Sequence, residues 1–258
     1  MPTRMRHLGG FRENDRPGKT RPRSGRQTLD RRRPRVVRIA AALLAACLPG
    51  LALAQEFVEA NGPMSDDDFY NAVSCGADPG GECRKPLVKW DRLGPIRIAV
   101  RQIDDAYLGG KKLRAAAALE RAIQALNGAD AGFRVVEVDA GADAEIEVFF
   151  FDLERGDPIA GTGIEGVDGS PLGGASTRVL FERETGRIRQ VAIIFSTTLQ
   201  IRAYESVMLE ELTQAMGLMT DIRNPYYDET SVFSQDTNAS TELGEQDIMA
   251  LKRHYARP

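Results

Sequence analysis

Histidine is the scarcest chemistry-bearing residue in this 258-residue chain: there are two, beside three cysteines and one tryptophan. Two imidazoles cannot build a multi-histidine zinc site. Long apolar runs are equally rare. The uncharged stretch from Ile39 to Ala54 is broken by Pro49-Gly50 and is short for a bilayer span of ~20 residues. At 42% apolar and 28% charged, the chain is neither collagenous, a coiled coil nor wholly disordered.

Charge is divided unevenly along the chain. Residues 1–54 hold 13 Lys+Arg against 3 Asp+Glu, which leaves 21 against 34 in residues 55–258, a balance of −13. A surface this acidic argues against nucleic acid or anionic lipid as the main partner. The basic segment is polar and aperiodic up to Arg31-Arg32-Arg33-Pro34-Arg35, then leads into the apolar run and ends on Ala52-Leu53-Ala54 before Gln55. That is the order of a secretory signal peptide, with residues 1–54 as a disordered basic n-region plus leader and 55–258 as one exported domain. Localisation would be periplasmic or secreted, with no transmembrane helix after cleavage. The segment Leu44-Ala45-Ala46-Cys47 offers a lipoprotein processing site as the alternative.

Export permits disulfides. Cys75 and Cys83 enclose a loop with Gly76, Pro79, Gly80 and Gly81, and are expected to pair.

Within the exported part, Ser65 before Asp66-Asp67-Asp68 reads as a helix N-cap with an acidic first turn, opening a helix over about 64–74. Ile96–Val100 alternates as a strand, 111–127 is an alanine-rich amphipathic helix, and Phe133–Val138 and Ala144–Phe151 follow as strands. Glycines at 161, 163, 166, 169, 173 and 174, with Pro158 and Pro171, make 157–176 a long exposed loop. It contains a GxGxxG spacing, but no helix pattern follows to present its N-terminus to a pyrophosphate, so no cofactor is assigned. Arg178–Glu182 and Ile188–Phe195 form a hairpin around Glu184-Thr185-Gly186. Its second strand is apolar enough to pack on both faces. Periodicity alone gives an α/β (α+β) domain.

A helix over 201–219 places Ile201, Tyr204, Met208, Leu209, Leu212, Ala215, Met216 and Met219 on one stripe, and Glu210, Gln214 and Val207 on another. Glu211 falls between the stripes at a core margin, where desolvation raises a carboxyl pKa. Glu210-Glu211-x-x-Gln214-x-x-Gly217-x-x-Thr220 resembles the zincin metallopeptidase helix HExxHxxGxxH. The glutamate and glycine are in register, and all three metal-ligand positions are changed. Ser231-Val232-Phe233-Ser234 looks like the turn beneath a metzincin metal, and Leu243–Leu251 is similar to the last metzincin helix. The same three motifs also resemble an exported bacterial family known only as a domain of unknown function, DUF2927.

The zincin resemblance implies a mixed twisted sheet with packed helices, an edge strand bordering a cleft, and a C-terminal helical part. If Val191–Phe195 borders the cleft, it could take an extended peptide by strand addition. The chemistry implied is a degenerate metallopeptidase that has lost its zinc ligands. Mature His254, in the last helix, reads as solvent-facing or capping. The leading expectation is therefore a non-catalytic, polypeptide- or envelope-partner-binding domain without metal or other cofactor. The alternative is an atypical hydrolase using Glu211 as general base with an oxygen-ligated ion held by Glu210, Gln214 and Asp221. Tyr226 and Tyr227 are candidate ligand-stacking residues or loop anchors, and Trp90 a core plug.

Overall fold

The computed structural model describes residues 50–53, 56–107 and 109–256. Most of the basic segment, Cys47 and the Ala54–Gln55 junction lie outside them. The elements are strands β1 (Gly50–Leu53) and β2 (Glu56–Glu59), helix α1 (Asp66–Cys75), β3 (Ile96–Ile103), α2 (Gly110–Gly128), β4 (Val135–Glu137), β5 (Ile146–Phe151), β6 (Ala175–Phe181), β7 (Ile188–Ser196), α3 (Tyr204–Gln214), β8 (Thr220–Arg223) and α4 (Glu245–His254).

A mixed sheet runs β6-β7-β5-β3-β4, and β1 is added along the outer edge of β6. The members β7, β5, β3 and β4 are parallel to one another, and β6 turns back antiparallel through the expected hairpin. The strand Val191–Phe195, expected to border a cleft, lies inside β7 and is paired on both sides, so its backbone is closed to an added strand. On that side β6 lies outside β7, and β1 covers part of its outer edge. A separate two-stranded parallel ribbon joins β2 to β8.

Alternation decides what each sheet face meets. Val148 and Phe150 of β5, with Val191, Ile193 and Phe195 of β7, join the core that includes Leu119 of α2 and Leu212 of α3. Phe149, Phe151, Ala192 and Ile194 point the other way and pack with Ile159, Ile164, Val167 and Leu172. These four come from the glycine-rich loop, which is therefore not simply exposed: its apolar residues seal the second face of the sheet. Each buried side chain of this size contributes about 1.5–3 kcal/mol. Glycine density hid that pattern, because apolar residues spaced by turns show neither helix nor strand periodicity. No helix follows the GxGxxG glycines before β6. Instead the Asp168 carboxylate accepts from Thr162 and from the Gly163 amide, folding the loop onto its own acid.

At α1, Ser65 Oγ accepts from the Asp68 amide at 3.1 Å as the N-cap, and Gly76 closes the helix in the left-handed region. The Cys75–Cys83 disulfide is formed, with Cα atoms 5.1 Å apart, and ties that end to the following loop. Among the described residues no helix is long and apolar enough to cross a membrane.

Candidate functional site

The segment expected as one helix over 201–219 is shorter. A 3-10 turn at Ile201–Ala203 leads into α3, which ends at Gln214. Gly217 forces the break. Its φ of +98° brings the chain so close to another segment that an added Cβ would sit 1.9 Å from the Val88 carbonyl oxygen. Trp90 Nε1–H donates to the Ala215 carbonyl at 2.9 Å and Tyr255 O–H to that of Met216 at 2.7 Å, satisfying acceptors that the helix end leaves open. Trp90 is thus a buried plug with a polar task. Ile201, placed on the apolar stripe by periodicity, is exposed because the turn displaces it.

Helix α3 is buried nearly all round, and this brings the predicted polar residues together. Gln214 Nε2–H donates to Asp221 Oδ1 at 3.0 Å, bridging α3 to β8, and both residues are buried. Glu210 is half-buried and accepts from the Asn238 amide at 2.6 Å. Glu211 is 5% exposed, and its Oε2 is buried without a hydrogen-bond partner, as is Gln214 Oε1.

Two residues that sequence reasoning left out complete the site. Thr177 of β6 donates its hydroxyl to the Glu211 backbone carbonyl at 3.1 Å. Arg178, the next residue of β6, is buried, and the Glu211 charge acts on it. Its Nη1 donates to Ser176 Oγ at 2.6 Å, while its Nε has no partner. An arginine inside an otherwise apolar strand pattern was the available signal. Asn238 gave none, since an exposed loop asparagine is ordinary.

Electrostatics follow from this burial. Desolvation pushes the Glu211 carboxyl up to about 7, opposed by hydrogen bonding from Thr177 and by the Arg178 charge. Desolvation also pushes Asp221 up to about 7, opposed by Gln214 and by the Lys85 charge. Glu210 is raised by burial first and then by the neighbouring Asp221 and Glu211 charges. Their charges act on one another, so the three carboxyls titrate as a coupled set.

This donor set does not fit zinc. It offers carboxyl and amide oxygens rather than imidazole nitrogens, and two of those oxygens already accept hydrogen bonds. Among the described residues no three His, Cys, Asp or Glu side chains are arranged to hold a metal ion. The remaining histidine is not solvent-facing as expected. His254 is 3% exposed, with Nε2 2.8 Å from the Val88 carbonyl and Nδ1 3.2 Å from the Tyr70 hydroxyl. Burial lowers its pKa to about 4.

Tyr226 and Tyr227 face a different groove, one shared with Met64, Asp66 and Gln246. Tyr227 is an anchor: its hydroxyl accepts from the Met64 amide at 2.9 Å and donates to Gln246 at 2.8 Å. Tyr226 is 54% exposed and stacks edge-on against it.

The two C-terminal motifs meet directly. Asp247, buried in the first turn of α4, accepts from Ser231 Oγ at 2.6 Å and from the Val232 amide at 3.0 Å. A family comparison matches residues 64–258 to the protein of unknown function DUF2927. The chain belongs to the DUF2927 family. No curated protein matches it. In this DUF2927 chain the matched region takes in α1, the α3 cluster and the Asp247–Ser231 clasp.

Proposed function

We propose that this DUF2927 protein is an exported domain on a zincin-like scaffold that binds polypeptide at the edge of its main sheet and carries out no zinc-dependent hydrolysis. The observation that carries the reading is the pairing of β1 with β6, from Gly50↔Phe181 to Leu53↔Arg178, antiparallel along the outer edge. An extended segment thus lies on the strand whose Thr177 donates to the Glu211 backbone carbonyl. Strand addition supplies affinity through main-chain hydrogen bonds and takes selectivity from side-chain pockets. The ancestry rests on the Glu211 and Gly217 spacing of α3, and export on the leader-like order of residues 31–54 and on a disulfide that suits an oxidising compartment.

The test is binding of a fluorescent extended apolar peptide to the exported protein, compared with the same peptide N-methylated at alternate residues. Loss of binding on N-methylation supports strand addition, and equal binding ends it.

A second reading has its own observation. The unpartnered Oε2 of Glu211, on a carboxyl whose pKa sits near neutrality, is suited to general-base chemistry. It requires that proteome-wide cleavage profiles differ between wild type and Glu211→Gln, whereas the binding domain requires identical profiles.

A further inference from the structure

The register on the β6 edge gives a direction. Because Gly50 faces Phe181 and Leu53 faces Arg178, a bound chain runs with its C-terminal end toward Ala175 and Gly174. The chain's own segment does not follow that course. The β1 register stops at Arg178, and Glu56–Glu59 pairs with β8 instead.

Beyond Arg178 the edge opens at Gly174 into a groove of about 630 Å³, walled by Arg155, Thr198, Leu199, Gln200, Arg202 and Asn238. Gly174 lines it too: a Cβ there would be 3.7 Å from Leu199 and 3.9 Å from an Arg155 guanidinium nitrogen. Among the described residues Arg155 and Arg202 are the only ionisable side chains in the wall, and both are exposed. Neither makes an ion pair or hydrogen bond with a described residue, whereas Arg97 and Arg101 of β3 both bind carboxylates.

We infer that this groove selects carboxylate side chains in the bound polypeptide, about four residues C-terminal to the position facing Arg178. The inference rests on the strand-addition reading. The register carries residue 178 of the edge to residue 174 over that interval, and the two guanidinium groups supply the charge complement. In a segment 55–258 with a balance of −13, a wall without acids is the place where an acidic peptide meets attraction. The partner is therefore a polypeptide with an extended apolar stretch followed by glutamate or aspartate.

The probes are N-acetylated, C-amidated fluorescent peptides of the sequence Gly-Leu-Ala-Leu-Ala-Gln followed by Glu-Glu, Gln-Gln or Lys-Lys. Each is titrated against the exported full-length gene product, its N-terminus read by mass spectrometry, and against the Arg155→Glu/Arg202→Glu variant. The Glu-Glu peptide should bind about ten-fold tighter than Gln-Gln at low salt, with the gap closing at high salt. Charge reversal should make Lys-Lys the preferred peptide while leaving Gln-Gln affinity unchanged, which also reports that the variant is folded.

Equal affinity for all three peptides overturns the groove inference and leaves strand addition standing. Absence of binding by any peptide overturns both. A Gln-Gln peptide left with a free C-terminal carboxylate is the control: binding as tight as that of amidated Glu-Glu overturns the side-chain assignment.

Discussion

Gln214 donates its side-chain amide to Asp221 across 3.0 Å, and its own carbonyl oxygen is left buried and unpartnered. The contact ties the last residue of α3 to β8 and places an acid where water cannot solvate its charge. Burial raises Asp221 and Glu211 above their unfolded values, so between about pH 4 and 7 the native state holds more protons than the unfolded chain. Their contribution is full below that window and is lost as pH rises through it. His254 acts in the opposite sense. Its pKa falls to about 4, so its contribution is full above the unfolded value near 6.5 and is lost as pH falls. A difference measurement separates the two effects. Asp221→Asn keeps an acceptor for Gln214 and should raise the melting temperature relative to wild type more at pH 8 than at pH 5. Equal shifts at both pH values would refute the raised Asp221.

Gly217 should resist substitution for reasons unrelated to catalysis. Its positive φ and the Val88 carbonyl 1.9 Å from any added Cβ leave a side chain no room. Gly217→Ala is expected to lose on the order of 3 kcal/mol or more in urea unfolding. Gly110→Ala, at the open start of α2, should be neutral or gain up to about 1 kcal/mol.

The disulfide closes a loop of sequence separation 8 at the end of α1. Replacing Cys75 and Cys83 together by alanine should cost roughly 2–3 kcal/mol on the chain-entropy estimate. Added reductant should destabilise the wild type by a similar amount and leave the double variant unchanged.

Asp247 should be the most sensitive acid outside the α3 cluster. It accepts from Ser231 Oγ, from the Val232 amide and, at 2.8 Å, from the Gly244 amide. Asp247→Ala strands buried donors and should cost about 3 kcal/mol in urea unfolding. A loss under about 0.5 kcal/mol, the range of ordinary surface changes, would show that the clasp does not hold α4.

Local signals carried much of this fold. The Ser65 cap, the alternation of β3 and β7 and the Gly186 hairpin turn each follow from neighbours in sequence. What was hidden is the part assembled over distance. Nothing near Thr177 says that its hydroxyl meets the Glu211 carbonyl, and nothing in 157–176 says that Ile159 and Leu172 cover a sheet face. The edge was misplaced for the same reason: both hairpin strands alternate, and only the pairing of β7 with β5 shows that β6 is the outer one. The site was partly legible because Glu210, Glu211, Gln214 and Asp221 are close in sequence, while Thr177 and Asn238 arrive from two other segments.

The ribbon of β2 and β8 joins Glu56 to Thr220. A contact between such distant positions has high contact order, and its loop-closure entropy is met only after most of the chain has been synthesised. The Asp221 edge of the cluster therefore assembles late, closing only after more than four-fifths of the sequence has been made, when the strands of the main sheet are already present.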